Sequence, residues 1–355
     1  MAEMRLLERT LSQNVSWNRA RIKLLARLLV ALVQVKTVNL AQLASVLESR
    51  ALIESNYKRL QRFLRHFELP FAELALLLTR LLDIPRPWVV TLDRTEWHCA
   101  QARINLLVMG VAYKGAAIPI LWTVLPKAGS TSFVERRALV DQFICLFGRE
   151  SISYLCADRE FHGKQWYQYL GECRVKFCLR VRSDTPMTSA RGPVVKTKNL
   201  FRQQKVGIRL DLERERVVWG QRVRVSGLRL TGGELLVVVS SPEVADPLAA
   251  YTKRWEIETL FGCLKTRGFC LEATRVSDAE RLKKLMALLA LSFCWAIKAG
   301  EWVSGQRPLK YKTHKRLARS LFRTGLDSLR RVVCNLHCLT QKVMWRELIH
   351  LLSCT

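Results

Sequence analysis

Carboxylates are scarce in this chain. Thirty Asp and Glu face 58 Lys and Arg over 355 residues, giving a formal charge of +28 and an isoelectric point near 10.2. That imbalance exceeds what solubility requires and points to a polyanionic partner, because each cation set against a phosphate releases condensed counterions. Long apolar runs are missing too. The strongest early one, residues 24–35, is 12 residues long and broken by Arg27, against the roughly 20 that a spanning helix needs. No signal-peptide arrangement with a cleavage site accompanies it, so the expectation is a protein without a membrane span, working in the cytoplasm. Nor is there a disulfide framework: eleven cysteines are scattered, mostly among apolar neighbours (Cys145, Cys156, Cys178, Cys294), as buried reduced thiols are. The cluster Cys334, His337 and Cys338 lacks a second ligand pair at finger spacing and is not expected to hold zinc.

What is present is a globular composition, 49% hydrophobic, in a chain long enough for two or three domains. Before Pro85 the one proline is Pro70, and apolar residues recur at spacings of three and four, predicting helices. Within them LAQLASVLES is a short helix, and Ser55 is placed to cap a second, SNYKRLQRFLRHF. On that second helix Leu60, Phe63, Leu64 and Phe67 face one way and Lys58, Arg62 and Arg65 the other, the pattern of a helix-turn-helix with a basic reading helix. A basic amphipathic helix with no groove contact has the same pattern, and the net charge favours the DNA reading.

After Pro85 and Pro87 the period turns strand-like. WVVTLD, residues 88–93, is a β-rich run ending in Asp93, and RINLLVMGVAYKGAAIPILWTVL gives two long strands joined near Lys114-Gly115. Residues 132–147 return to helical spacing, SISYLCAD is a strand ending in Asp158, HGKQWYQYLGEC is a short helix and VKFCLRVRS a fifth strand. The order βββαβαβ predicts an α/β fold with a ribonuclease-H-like mixed sheet. Residues 184–241 are short, polar and β-rich, an expected insertion before the next helix. A long apolar helix over 278–303 and a basic tail over 307–331 follow.

The stretch YTKRWEIETLFGCLK, residues 251–265, ties these parts together. Wound at about 100° per residue, it sets Tyr251, Arg254, Glu258 and Lys265 within a sector of roughly 60° beside an apolar stripe of Ile257, Leu260, Phe261 and Leu264. Glu256 falls away from both faces, as a spare surface charge does. Solvated rim charges on an ordinary amphipathic helix are the plain alternative. Against it, Glu258 lies between two cations and beside the core, where a carboxylate is able to bind metal while its neighbours grip phosphate. Asp93, Asp158 and Glu258, on separate elements, are the hard oxygen ligands that two divalent cations require for phosphodiester chemistry.

In these motifs the chain resembles the DDE transposases of bacterial insertion sequences, in the insertion-sequence-four branch. The signature Tyr, two residues, Arg, three residues, Glu, six residues, Lys is met by Tyr251, Arg254, Glu258 and Lys265, and the carboxylate motifs by TLDRTEW with Asp93 and ADREF with Asp158. Separations of 65 residues from Asp93 to Asp158 and 100 from Asp158 to Glu258 suit that family. The resemblance implies metal-dependent cleavage at the ends of an insertion sequence and strand transfer into target DNA. Asp93, Asp158 and Glu258 would hold two Mg2+ ions, with Mn2+ as a substitute. Tyr251, Arg254 and Lys265 would hold the DNA backbone near the element's end. The partners are double-stranded DNA, both terminal inverted repeats and target, and a second copy in a homodimeric DNA complex, in a bacterial cytoplasm at the nucleoid. Some members stack a flipped base on a tryptophan just before the last strand of the insertion; here Leu235 and Leu236 stand there, and Trp219 is the nearest substitute. The expected layout is a helical DNA-binding domain over 1–85, a catalytic domain over 86–183 and 242–304 interrupted by a β-rich insertion over 184–241, and a basic helical region over 305–355. Two rivals share some of these features: another ribonuclease-H-like nuclease, which needs the carboxylates alone, and a non-catalytic DNA-binding protein derived from a transposase.

Overall fold

The computed structural model describes residues 2–99, 102–189, 192–310, 313 and 317–353. Five helices lead: α1 (Ala2–Asn14), α2 (Arg19–Val35), α3 (Leu40–Val46), α4 (Ile53–His66) and α5 (Phe71–Leu82). Asn18 and Asn39 cap α2 and α3 by accepting backbone N–H groups. Ser55, expected as a cap, lies inside α4 instead, which starts at Ile53 with no side-chain cap. The turn residue Leu47 is buried while Ala51 to Ser55 are exposed, so the chain is already helical before the segment where its apolar period becomes legible.

The strands follow: β1 (Trp88–Cys99), β2 (Ala102–Tyr113), β3 (Ala116–Leu125), then α6 (Phe133–Phe147), β4 (Ile152–Ala157), α7 (Lys164–Glu172) and β5 (Phe177–Val181). β1, β2 and β3 are antiparallel, whereas β4 runs parallel to β1 and β5 parallel to β4, giving the mixed order β3-β2-β1-β4-β5. Lys114 and Gly115 both have positive φ, 47° and 94°, the backbone of a tight primed turn that matches strand twist. Ser132 and Glu135 form a complete capping box on α6.

The β-rich stretch carries β6 (Pro186–Met187), β7 (Val195–Lys196), α8 (Thr197–Leu200), β8 (Arg209–Asp211), β9 (Arg216–Val218), β10 (Gln221–Arg229) and β11 (Leu235–Ser240). It does not stand apart from the main sheet. β11 pairs antiparallel with β5, β10 with β11 and β8 with β10, so the order continues as β5-β11-β10-β8. Then come α9 (Pro247–Tyr251), α10 (Trp255–Leu264), α11 (Ala279–Gln306), α12 (Leu321–Cys334) and α13 (Leu339–His350).

α11 is apolar all round through its middle, with residues 285–297 buried throughout. A helix of that composition belongs in a core, and it packs on β3 and on α12, α2 and α5. α13 packs against it, with Trp295 donating to Leu348 O at 2.8 Å, and is tied to α1 by Trp345, which donates to Glu3 O at 3.1 Å. α11 and α12 approach so closely that a methyl group on Gly300 or Gly325 would overlap backbone atoms of Leu321 or Ala296. Gly325→Ala should therefore lower the unfolding free energy by about 1–3 kcal/mol, the usual cost of overpacking. Gly305→Ala, where nothing lies nearby, should be neutral or slightly stabilising because glycine is a weak helix former. Denaturant midpoints of the two variants make the comparison, and equal midpoints would remove the close-approach argument.

Candidate active site

Pairing register builds the site. The parallel ladder aligns Leu92 with Ala157 and Ala157 with Leu179, so the next residues, Asp93, Asp158 and Arg180, stand side by side across three neighbouring strands. β1 continues past Asp93 to Cys99 rather than ending there, because β2 pairs with it from Val90 to Cys99 while β4 stops at Ala157. Asp93 is thus the first residue of β1 without a neighbour on the β4 side. Asp158 opens a loop turned back by the Phe161 N–H bond to Asp158 O, 3.0 Å, and pinned by the buried Phe161 ring.

Residues 251–265 are not one helix. α9 ends at Tyr251, a 3-10 turn spans Thr252–Arg254, α10 begins at Trp255, and Lys265 lies just past its end. The tighter turn winds faster than 100° per residue, which rotates Tyr251 relative to Glu258, while within α10 Glu256 lies one turn before the buried Leu260. Glu256, expected on the surface, is 7% exposed, bonded to Lys253 at 3.0 Å through one oxygen while the other has no partner. The apolar stripe Ile257, Leu260, Phe261 and Leu264 is buried as expected.

Tyr251, Arg254 and Glu258 do converge with the two aspartates. The Arg254 guanidinium is buried and bridges Glu258 Oε1 at 2.6 Å and Asp93 Oδ2 at 3.7 Å. It lies over the Tyr251 ring and the exposed Trp255 ring, 5.4 and 5.1 Å from their centroids. Tyr251 donates its hydroxyl to Asp158 Oδ1 at 3.0 Å. Burial raises the Tyr251 phenol pKa, so it stays a donor. Lys265 is held elsewhere along β1, by Glu96 O at 2.8 Å and Glu272 at 2.8 Å, above the Trp97 ring. Three residues of strand, about 10 Å, separate its anchor from Asp93. Burial pushes the Asp93 carboxyl up to about 7, against the lowering pull of the Arg94 N–H and Arg254, while Asp158 and Glu160 add to the rise.

Among the described residues no three His, Cys, Asp or Glu side chains lie close enough together to cage a metal ion. Asp93 and Glu258 are instead linked through Arg254, and Asp158 is neighboured by Tyr251 and, at 3.8 Å, by Arg180. The hard carboxylate oxygens of all three suit Mg2+ or Mn2+, and each already faces a cation or a polar hydrogen. Several supporting residues have no clear pattern in the sequence. Arg180 reaches Glu234 at 2.5 Å, and Glu234 also binds Arg159, tying the β10–β11 turn to the Asp158 loop. A lone cation inside the apolar run FCLRV was the available signal for Arg180. Arg136, buried on α6, donates to Thr131 and to His162 O and lies over Phe161; its exposed neighbour Arg137 looks the same in sequence. Arg94 is ion-paired with Glu160 and Glu96. Trp219 packs edge-on to Tyr167 and beside His162. In the helical ends, Lys58, Arg62 and Arg65 are exposed on α4 opposite the buried Leu60, Phe63 and Leu64. Of the basic tail, Lys312, Lys315 and Arg316 lie outside the described residues.

A mixed α/β core with Asp93 and Asp158 on neighbouring strands, and Arg254 and Glu258 beside them from the α9–α10 segment, is the arrangement against which known proteins are compared. Residues 85–295, more than half of the chain, match the family described as the transposase DDE domain. The chain belongs to that family. No curated protein matches it in sequence. Among solved structures it is similar to the piggyBac transposase synaptic complex with hairpin DNA, determined by cryo-EM, at 12% identity over 99% of this chain and 82% of that one, with a TM-score of 0.48.

Proposed function

We propose that this chain is a cut-and-paste transposase of the insertion-sequence-four branch, with a ribonuclease-H-like catalytic core. It would nick DNA at the ends of its element and join the freed 3′ hydroxyl to a target phosphodiester. The observation that carries this is the gathering of Asp93, Asp158, Glu258, Tyr251 and Arg254 from β1, the β4 end and the α9–α10 segment, in a chain of formal charge +28. Asp93, Asp158 and Glu258 are the residues to hold two Mg2+ ions, or Mn2+ in their place. When bound, such ions activate a hydroxyl nucleophile and stabilise the leaving oxygen. Arg254 offers a planar fork to a backbone phosphate, Tyr251 a hydroxyl donor and Lys265 a point charge. Double-stranded DNA is the substrate, at the terminal inverted repeats and at the target, handled by a homodimer. The α3–α4 pair serves as the helix-turn-helix.

The test uses a plasmid carrying the short inverted repeats that flank the gene, incubated with protein and Mg2+. Cuts leaving 3′ hydroxyls at the repeats, followed by joined products, are expected. Cutting at branched junctions alone would favour a resolvase, and binding without cutting would favour a derived DNA-binding protein.

The raised Asp93 pKa gives a pH dependence. A proton and a cation compete for that carboxylate, so Mn2+ binding measured by calorimetry should tighten as pH rises through about 7. The folded chain holds this proton more firmly than the unfolded chain does. Its contribution to stability is therefore full below the ordinary aspartate range and lost as pH rises toward 7. Metal-free melts of Asp93→Asn should lack that part of the slope, and Mn2+ affinity equal at pH 6 and pH 8 would argue against the assignment.

A further inference from the structure

The main sheet ends at β8, which pairs with β10 on one side and, among the described residues, with no strand on the other. Residues 205–211 are exposed without a break. The Leu212 N–H bonds to Val225 O at 2.9 Å on the β10 side. Backbone direction alternates along an antiparallel strand, so Leu210 and Leu212 turn their N–H and C=O groups inward while Arg209 and Asp211 turn theirs to the open edge. Side chains alternate too. Ile208 and Leu210, 58% and 40% exposed, share one face with the half-buried Leu212, whereas Arg209 and Asp211 share the other, ion-paired at 2.6 Å. An open edge with exposed apolar side chains is a template for another strand, and proteins commonly guard such an edge with lysine or proline. β8 carries one charge of each sign instead.

Antiparallel pairing of two β8 edges has to set outward-turned residues opposite one another. Centred on Arg209 it opposes Arg209 to Arg209, and centred on Asp211 it opposes Asp211 to Asp211; like charges directly opposite are destabilising. Centred on Leu210, each Arg209 faces an Asp211, Leu210 meets Leu210, and Ile208 meets Leu212 on the apolar face. We propose that a second copy of this chain docks here, β8 against β8 about a two-fold axis at Leu210, so that one sheet runs through both copies. Self-complementarity of a single patch is what such a symmetric dimer requires. The formal charge of +28 sets two copies against each other as wholes. Residues 209–215, however, hold three carboxylates against two cations, so this edge does not add to that repulsion. The contact is short, which makes the interface a weak one. It needs no DNA and stands apart from the transposase reading.

Sedimentation velocity on the full-length protein without DNA tests it by charge exchange. The parent should pass from monomer to dimer as its concentration rises to about 100 μM, the range of a small interface. Arg209→Asp sets Asp against Asp, and Asp211→Arg sets Arg against Arg, twice per dimer. Each should therefore weaken self-association at least about tenfold. An equimolar mixture of the two variants restores both opposite-charge pairs and should dimerise about as well as the parent. Arg209 also bonds Asp246 at 2.9 Å, so thermal melts check that each variant is folded. Leu210→Lys, on the face away from Arg209, keeps the test open if either melt fails: it brings two cations together at the axis and should be monomeric. A parent that stays monomeric to that concentration, a mixture of folded variants that does not dimerise, or dimers indifferent to all three substitutions would overturn the proposal. None of these results bears on end cleavage, which is read in its own assay.

Discussion

Asp93→Asn, Asp158→Asn and Glu258→Gln should each abolish end cleavage, slowing nicking by at least about a thousandfold, the rate equivalent of the several kcal/mol that a bound metal contributes to a phosphoryl-transfer transition state. Each replacement keeps shape and hydrogen-bonding capacity while removing the charge. The Asp93→Asn side chain is still able to accept from the Arg94 N–H, which lies at 2.8 Å from the carboxylate, and the Asp158→Asn side chain still accepts from Tyr251. The cationic surface that binds duplex is untouched, so gel shifts on an element-end duplex should match the parent. Glu256→Gln is the matched control. Because Glu256 is buried beside Lys253, Gln is the gentle change there, and it should cut at close to the parental rate. A reversal, with Glu256→Gln dead and Glu258→Gln active, would move the third carboxylate by two residues.

Arg254→Ala is expected to have the second-largest effect, and on two counts. A solvated rim arginine contributes roughly 0–1 kcal/mol. Arg254 is 4% exposed and answers two carboxylates, of which Glu258 is 40% exposed and partly screened by water, so its removal should cost more than a rim charge but less than the roughly 3–5 kcal/mol of a fully buried pair. If it also orients a phosphate, misplacement of the scissile strand adds on the order of a hundredfold in rate. Arg254→Lys separates the two. Lysine restores the charge and much of the stability but has no planar fork for two oxygens, so melting should largely recover while strand joining stays well below the parent. Joining that recovers in step with melting would reduce Arg254 to a structural countercharge. Lys265, anchored by Glu96 O and Glu272, is half-buried, and its loss should be milder on both measures.

Local pattern was legible where one period or one signature decides it. The hairpin at Lys114-Gly115, the helix over 132–147, Asp158 at the end of its strand and the buried stripe of α10 all lie within a few residues of the signal that announces them, whereas Asp93 falls inside β1 because β2 pairs with the strand beyond it. What stayed hidden depends on register between distant strands or on which side of a helix packs. Glu256 is buried because within α10 it lies one turn before Leu260 and on the same side as Cys263, a side of the wheel that a comparison with Tyr251, Arg254 and Lys265 does not weigh. Arg180 joined the site because β5 aligns with β4, which nothing near Arg180 in the chain records. The β-rich stretch looked separate because its strands are short and polar; its continuity with the main sheet rests on backbone bonds from β11 to β5, which carry no composition.

That continuity bears on how the chain assembles. When β5 has left the ribosome, its parallel neighbour β4 already exists, but its other neighbour, β11, is still to be made beyond the whole β-rich stretch. Until then β5 is a nascent sheet edge with open N–H and C=O groups, the kind of surface that invites pairing with another chain. Arg180 lies in the middle of that edge, with Lys176 and Arg182 at its ends. The cation that stands beside Asp158 in the finished protein also sets like charge against like wherever two unfinished copies meet edge to edge.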